Sequence, residues 1–164
     1  MTDFKALLRI LSDAGVEFIV VGGVAAAVHG SARATFDLDV VYRRTPEGIE
    51  RLVLALIPYH PYLRGAPPGL PFRWDAATVR RGLNFTLTTD IGDLDLLGEI
   101  TGGGGYEALA PSTTIIRAFD IECRLLNLDR LIEVKRAAGR PKDFEVVAEL
   151  ETIREQQRQR PARP

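Results

Sequence analysis

One five-residue segment, Phe36-Asp37-Leu38-Asp39-Val40, alternates apolar and acidic side chains along the chain. The alternation predicts a β-strand over residues 37–42, because side chains two residues apart in a strand point to the same face. The carboxylates of Asp37 and Asp39 are therefore expected side by side, about 6 to 7 Å apart at the backbone, with the apolar residues facing the core. Two acids this close repel each other unless a cation lies between them, and a divalent ion with oxygen ligands meets that need.

A third acid lies in a similar apolar setting, Leu94-Asp95-Leu96, on a later predicted strand. Three converging carboxylates are typical of phosphoryl transfer with two metal ions. Asp93 points to the same face as Asp95 and is the rival third ligand; Asp95 is preferred because both its neighbours are apolar, whereas Asp93 follows a turn glycine. Each motif also has a purely structural explanation. An isolated Asp-x-Asp often lies at an exposed strand edge, and Asp95 fits a carboxylate whose hydrogen bonds are satisfied within a hairpin.

Two glycines, Gly22-Gly23, separate a predicted strand over residues 17–21 from a predicted helix over residues 24–29. Missing side chains at such a turn allow backbone N–H groups to approach a phosphate, and the helix dipole favours negative charge there. A bare glycine pair is by itself only a turn. The dinucleotide fingerprint and the P-loop both need residues that are absent here, so the sequence disfavours those two nucleotide-binding folds.

The chain length fits one domain, and strand and helix patterns alternate as far as Pro58, which predicts a single α/β domain over residues 1–164. Residues 58–71 contain five prolines and two glycines. This composition predicts a long loop without regular structure. Further strands are predicted over residues 84–89, 93–97, 113–119 and 121–126, followed by two helices. Residues 156–164 are polar and basic, and we predict a flexible tail there.

The 164-residue chain is 46% hydrophobic and has a formal net charge of −1. The apolar share is enough for a core, and the balanced charge gives no general attraction to nucleic acid or anionic membranes. A lone cysteine, Cys123, cannot form an internal disulfide, and its apolar neighbours predict that it is buried. No apolar run approaches the roughly 18 to 20 residues that span a bilayer. We therefore expect a cytoplasmic protein without a membrane partner.

Taken together, several segments resemble the nucleotidyltransferase superfamily of DNA polymerase beta. They are Val20-Val21-Gly22-Gly23, His29-Gly30, the run from Arg33 to Asp39, and Leu94-Asp95-Leu96. The run Lys135-Arg136-Ala137-Ala138-Gly139-Arg140-Pro141-Lys142-Asp143 is similar to the C-terminal motif of its minimal and abortive-infection toxin branches. The resemblance covers about residues 16–150, and the combination is far more specific than any one motif.

The resemblance implies a mixed β-sheet flanked by helices. It also implies an activity in which a nucleoside triphosphate, bound with Mg²⁺ or Mn²⁺, transfers its nucleotidyl group to an acceptor hydroxyl and releases pyrophosphate. It implies that Asp37, Asp39 and Asp95 are catalytic residues and metal ligands, Asp95 also receiving the proton of the attacking hydroxyl. The nucleotide-binding positions it implies are Gly22, Gly23, Arg33, Lys135, Arg140 and Lys142. From the residues alone, Arg33 is explained equally well as a surface arginine. The cluster of Lys135, Arg140 and Lys142 is explained equally well as a solvent-exposed face of the protein.

RNA such as tRNA, a protein or a small molecule is expected as acceptor, and the resemblance raises the hypothesis of a toxin–antitoxin pair with a cognate partner. One alternative is a nucleotide-binding or partner-binding module that keeps the fold with little catalysis. The intact acids Asp37, Asp39 and Asp95 argue against it. A glycosyltransferase with an Asp-x-Asp motif is disfavoured by the chain length and by the glycine pair before the acids.

Overall fold

A computed structural model describes residues 1–161 of the chain. In chain order its elements are α1 (Phe4–Asp13), β1 (Phe18–Val21), α2 (Gly22–His29), β2 (Asp37–Tyr42), α3 (Pro46–Leu56), β3 (Tyr62–Leu63), α4 (Ala76–Arg81), β4 (Phe85–Thr89), β5 (Gly92–Leu97), α5 (Tyr106–Leu109), β6 (Thr113–Ala118), β7 (Ile121–Leu126), α6 (Leu128–Ala138) and α7 (Pro141–Gln159). Single 3-10 turns lie at Ile57–Tyr59 and Ala110–Ser112.

The strands form one seven-stranded sheet in the order β3-β4-β5-β2-β1-β7-β6. β2 pairs in parallel with β5 and β1 in parallel with β7, while the other neighbours are antiparallel. A mixed sheet of this kind confirms the predicted fold class. Every residue of β1 is buried, which explains its unbroken apolar sequence Phe-Ile-Val-Val near the middle of the sheet.

The helices form two packed groups around the sheet. α1 contacts α3, and its buried residues Leu7, Leu8 and Leu11 repeat at helical spacing. α2 contacts α6 and α7, which also contact each other. Cys123 is buried on β7, as its apolar neighbours predicted. Of the helices within residues 1–161, none has both the length and the apolar character that crossing a bilayer requires.

The region from Pro58 to Pro71 corrects our prediction of a loop without regular structure. Tyr62 and Leu63 form the edge strand β3 and pair with β4. The following residue, Arg64, extends the contact, since its backbone N–H donates to the carbonyl of Thr86 at 3.0 Å. Prolines lie on either side of the paired residues and not among them, so no ladder hydrogen bond is lost.

Two helix boundaries also differ from the predictions. α2 begins at Gly22, two residues earlier than expected, so the glycine pair forms its first turn. α7 continues to Gln159 and includes the beginning of the stretch predicted as a flexible tail. Glu, Gln and Arg are good helix formers despite their polarity, and Gln159 hydrogen-bonds Glu155 one turn earlier at 3.0 Å. Residues 162–164 of the predicted tail lie outside the described residues.

Candidate active site

The parallel pairing of β2 with β5 brings the acidic residues together. In its register Asp37 lies opposite Asp93 and Asp39 opposite Asp95. One carboxylate oxygen from each of Asp37, Asp39 and Asp95 lies within 4.8 Å of the other two. The side chain of Asp95 therefore lies on the same face as those of Asp37 and Asp39, because aligned residues of neighbouring strands point the same way.

Burial and mutual repulsion make this cluster electrostatically unfavourable without a cation. Burial, followed by the charges of Asp37 and Asp95, raises the pKa of Asp39 from 3.8 to about 8. The positive charge of Lys135 opposes that rise only in part. Three hard oxygen donors with excess negative charge fit a divalent ion such as Mg²⁺ or Mn²⁺, which prefers carboxylate and phosphate oxygens. Asp37, Asp39 and Asp95 are thus the residues that would hold it.

The sequence analysis missed Arg64, which lies directly beside these acids. Its Nη2 donates to Asp95 Oδ1 at 2.8 Å, and its Nη1 lies 3.4 Å from Asp37 Oδ2. Its Nε lies 3.4 Å from Asp93 Oδ2. No local signal marks this arginine, because it follows a two-residue strand inside the proline-rich segment. Only the pairing of β3 with β4 brings it to the acids.

The glycine pair lets the start of α2 approach the acids closely. Gly22 has a positive φ of 67°, and a Cβ there would lie 2.2 Å from Asp39 Oδ2. A Cβ on Gly23 would lie 2.5 Å from Thr35 Oγ1. No side chain caps the N-terminus of α2, so the N–H groups of its first turn remain available to an anion.

All nine side chains or glycines selected from the sequence line one cleft of about 820 Å³: Gly22, Gly23, Arg33, Asp37, Asp39, Asp95, Lys135, Arg140 and Lys142. This volume lies within the range of small-molecule sites, about 300 to 1,000 Å³. Leu97, Ile100 and Val134 add apolar surface to the cleft. Phe36 lines it as well and is 76% exposed.

The basic residues face the acids across the cleft but differ in their surroundings. Burial lowers the pKa of Lys135, while the charges of Asp143 and Asp39 oppose that change. Lys142 is exposed and forms no ion pair within residues 1–161. Arg140 is engaged with Asp143, through Nε to Oδ2 at 2.7 Å and Nη2 to Oδ1 at 3.2 Å. Asp143 is only 2% exposed, so this arginine neutralises a buried carboxylate.

Arg33 lies at the cleft with its charge already paired. Its Nη1 lies 3.1 Å from Glu145 Oε2 and its Nε 3.3 Å from Glu149 Oε2, both on α7. A phosphate would have to replace these contacts, so a nucleotide-binding role of Arg33 stays a prediction. His29 Nε2 lies 2.7 Å from the carbonyl oxygen of Leu126, which fits the packing role of a histidine at a helix end.

No protein-family model and no curated protein matches the chain. Solved structures do resemble it. The lincosamide antibiotic adenylyltransferase LnuA, in its lincomycin-bound crystal structure, superposes with a TM-score of 0.60 at 14% identity over 93% of this chain and 98% of that one. The Thermotoga maritima protein TM1012, for which nucleotidyltransferase activity has been proposed, gives 0.54 at 16% identity over 98% and 97%.

A third similar structure is an antigenic nucleotidyltransferase-like protein from Paracoccidioides brasiliensis, with a TM-score of 0.54 and 13% identity over 91% of this chain and 72% of that one. Identities this low show the fold and nothing finer. The chain therefore has the nucleotidyltransferase fold, a seven-stranded mixed sheet flanked by helices.

Proposed function

We propose that the chain is a metal-dependent nucleotidyltransferase that transfers a nucleoside monophosphate from a nucleoside triphosphate to a hydroxyl acceptor. One observation carries the proposal: three carboxylate oxygens within 4.8 Å share a cleft with the uncapped start of α2. Carboxylates that gather metal ions, next to N–H groups that bind phosphate, are the two parts that phosphoryl transfer needs.

Each side of the cleft has a part in this reaction. The first-turn N–H groups at Gly22 and Gly23 would hold the triphosphate, helped by the charges of Lys135 and Lys142. Mg²⁺ or Mn²⁺, held by Asp37, Asp39 and Asp95, would supply the positive charge that balances the transferring phosphoryl group. The acceptor oxygen forms a bond to the α-phosphorus while the bond to the β-phosphate oxygen breaks, which releases pyrophosphate. Asp95 would accept the hydroxyl proton, a role worth about 10² to 10⁴ in rate.

The acceptor class follows less directly from the site. RNA such as tRNA, a protein and a small molecule are the three candidates, and a cytoplasmic toxin–antitoxin pair with a cognate partner is one setting for the first two. The name of LnuA identifies that protein as an adenylyltransferase for a small-molecule antibiotic. This supports testing hydroxylated small molecules beside the two macromolecular acceptors.

The second candidate function is a nucleotide-binding or partner-binding module with little catalysis. The observation that favours it is the arginine bonded to Asp95, because Arg64 already satisfies part of the acid's charge at 2.8 Å. Such a module would bind Mn²⁺ and nucleotide without turnover. An activity assay separates the two candidates.

The experiment incubates the chain with each α-labelled nucleoside triphosphate, Mg²⁺ or Mn²⁺, and one acceptor pool at a time: total RNA, protein extract or hydroxylated small molecules. We expect label on one acceptor class and a loss of about 10² to 10³ or more in Asp37→Ala and Asp39→Ala, since groups that stabilise transition-state charge have effects of this size. Asp13→Ala is the matched control, because Asp13 is exposed at the end of α1.

Metal-dependent nucleotide binding without label on any acceptor would favour the binding module. Label transfer that survives in both aspartate variants would overturn the proposed roles of Asp37 and Asp39. Absence of both nucleotide binding and transfer would overturn the proposal as a whole.

A further inference from the structure

We propose that Arg64 is a positioning residue that sets the net charge of the site, by neutralising Asp93 and holding one oxygen of Asp95. The inference rests on the proposed metal site of Asp37, Asp39 and Asp95. It explains why four carboxylates stand on one face while only three of them gather their oxygens within 4.8 Å.

The three guanidinium nitrogens of Arg64 each lie near a different acid. Nη2 bonds Asp95 Oδ1 at 2.8 Å, whereas Nε and Nη1 lie 3.4 Å from Asp93 and Asp37. Each carboxylate has two oxygens, so a bond from arginine to one oxygen of Asp95 leaves the other for a metal ion. The bond from Arg64 to Oδ1 restrains the orientation of the Asp95 side chain, as hydrogen-bond partners of metal-binding groups commonly do.

Arg64 is held in place by the sheet and not by the acids alone. Its backbone N–H donates to Thr86, and Nη2 also donates to the carbonyl of Leu87 at 2.8 Å. The side chain is 26% exposed, and within residues 1–161 its buried Nε has no hydrogen-bond acceptor. Asp93 Oδ2 lies 3.4 Å from that nitrogen, which gives the guanidinium an electrostatic reason to remain beside the fourth acid.

Counting charges shows what this arrangement would do to a bound cation. Asp37, Asp39, Asp93 and Asp95 carry four negative charges when ionised, and Arg64 reduces the net charge of the set to minus three. Removing the arginine should make the site more attractive to a divalent ion, and removing Asp93 should make it less attractive. Removing both restores the original net charge, so the two effects should oppose each other.

The test measures Mn²⁺ binding to the full chain without nucleotide, by the electron paramagnetic resonance signal of free Mn²⁺. We expect Arg64→Gln to bind Mn²⁺ about tenfold more tightly or better, since like charge a few ångströms from the ion opposes binding strongly. Asp93→Asn should bind about tenfold more weakly. The Mn²⁺ affinity of the double variant should lie between those of the two single variants, because its net charge equals that of the unmodified chain. Arg64 and Asp93 are in contact, so the departure from simple additivity measures their coupling.

Arg43→Gln is the matched control, because Arg43 lies beyond the other end of β2 and pairs with Glu17 and Glu107. Its Mn²⁺ affinity should not change. Arg64→Lys keeps the charge but loses the planar set of donors, so its Mn²⁺ affinity should lie closer to that of the unmodified chain than to that of Arg64→Gln. If Arg64→Gln alone fails to fold, the double variant compared with Asp93→Asn still decides the question, because removing the arginine charge should tighten Mn²⁺ binding in that background too.

Weaker Mn²⁺ binding in Arg64→Gln would overturn the inference, since Arg64 would then support the shape of the site and not lower its attraction for a cation. Unchanged binding in both single variants would overturn it too. The proposed enzymatic function fails separately, through absence of label transfer, so Mn²⁺ results as expected without transfer would leave this inference standing.

Discussion

The two sides of the cleft are built in different ways. The acidic wall, formed by Asp37, Asp39 and Asp95, stands on two neighbouring strands whose backbone hydrogen bonds fix the register. The cationic wall, formed by Lys135, Arg140 and Lys142, lies around the turn between α6 and α7. Its members have unequal settings, since Lys135 is half-buried, Arg140 is bonded to Asp143 and Lys142 is exposed.

The difference suggests a division of labour. Groups that act on reacting atoms need positions set to a fraction of an ångström, and a sheet supplies them more precisely than a turn. Charges that attract a triphosphate act over longer distances, so a less constrained helix-to-helix turn is sufficient. We therefore expect the largest effect where a contact of the acidic wall is disrupted and the smallest where one exposed charge of the cationic wall is removed. Four measurements test this.

The largest effect on stability is expected from Gly22→Ala, which disrupts the contact between α2 and the acidic wall. The new Cβ would meet Asp39 at 2.2 Å on a backbone with φ of 67°. Left-handed strain and overpacking together should lower the free energy of unfolding by about 3 kcal/mol. The control is Gly69→Ala, where φ is 88° and nothing lies within 4 Å. Urea unfolding should show the control losing only about 1 kcal/mol; equal losses would refute the close contact.

The next effect concerns the cationic wall and tests whether Arg140 stabilises the folded protein. Arg140→Gln leaves the buried carboxylate of Asp143 without its charged partner. The carboxylate keeps the backbone N–H of residue 140 but loses two guanidinium bonds, which should cost about 1 to 3 kcal/mol of stability. Arg136→Gln is the matched control, because the pair between Arg136 and Glu151 is more exposed, and should cost less than about 1 kcal/mol. If thermal unfolding shows no difference between them, Arg140 does not stabilise the turn.

A pH effect is expected on the acidic wall of the metal-free protein. Because the pKa of Asp39 is raised to about 8, the folded chain keeps a proton that the unfolded chain releases near 3.8. Stability should therefore fall as pH rises between these values, by at most about 1.4 kcal/mol per pH unit. Melting temperatures in EDTA at pH 6, 7 and 8 should show this fall, and Asp39→Asn should flatten it. A fall of equal slope in the variant would contradict the assignment to Asp39.

The smallest effect is expected from Lys142→Gln, which removes one exposed charge of the cationic wall. Exposed pairs contribute about 0.2 to 1 kcal/mol, so the KM for the nucleotide should rise about two- to fivefold with kcat unchanged. Lys5→Gln on α1, also exposed, should change neither constant. Steady-state kinetics with varied nucleotide checks the expectation, and a tenfold loss of kcat would instead place Lys142 among the groups that act on the transition state.

The sequence predicted the positions of the acidic-wall residues better than it predicted the surroundings of the basic residues. The strands carrying Asp37, Asp39 and Asp95 were placed within a residue or two, because alternation along a strand is a local property. The glycine pair was located correctly, but α2 begins at Gly22 and not after it. Asp39 and Thr35 lie against the two glycines, a contact that no short-range sequence pattern indicates.

The ion pairs of Arg33 and Arg140 could not be predicted from the local sequence either. Both were selected as nucleotide-binding candidates, and both are already paired with acids of α7. Arg33 is 112 residues from Glu145, so only the packing of α7 beside α2 brings the pair together. Arg140 and Asp143 are only three residues apart, but their contact contributes to stability because Asp143 is buried.

By itself the sequence determined the α/β class, the two acidic strands and the position of the glycine turn, since each depends on side-chain periodicity or composition over a few residues. Tertiary structure alone decided that β5 pairs with β2 in register, that Tyr62–Leu63 is a strand, and that Arg64 reaches Asp95. The physical reason is distance along the chain: contacts between residues 27 to 56 positions apart, such as Arg64 with Asp37 and Asp39 with Asp95, depend on how whole elements pack.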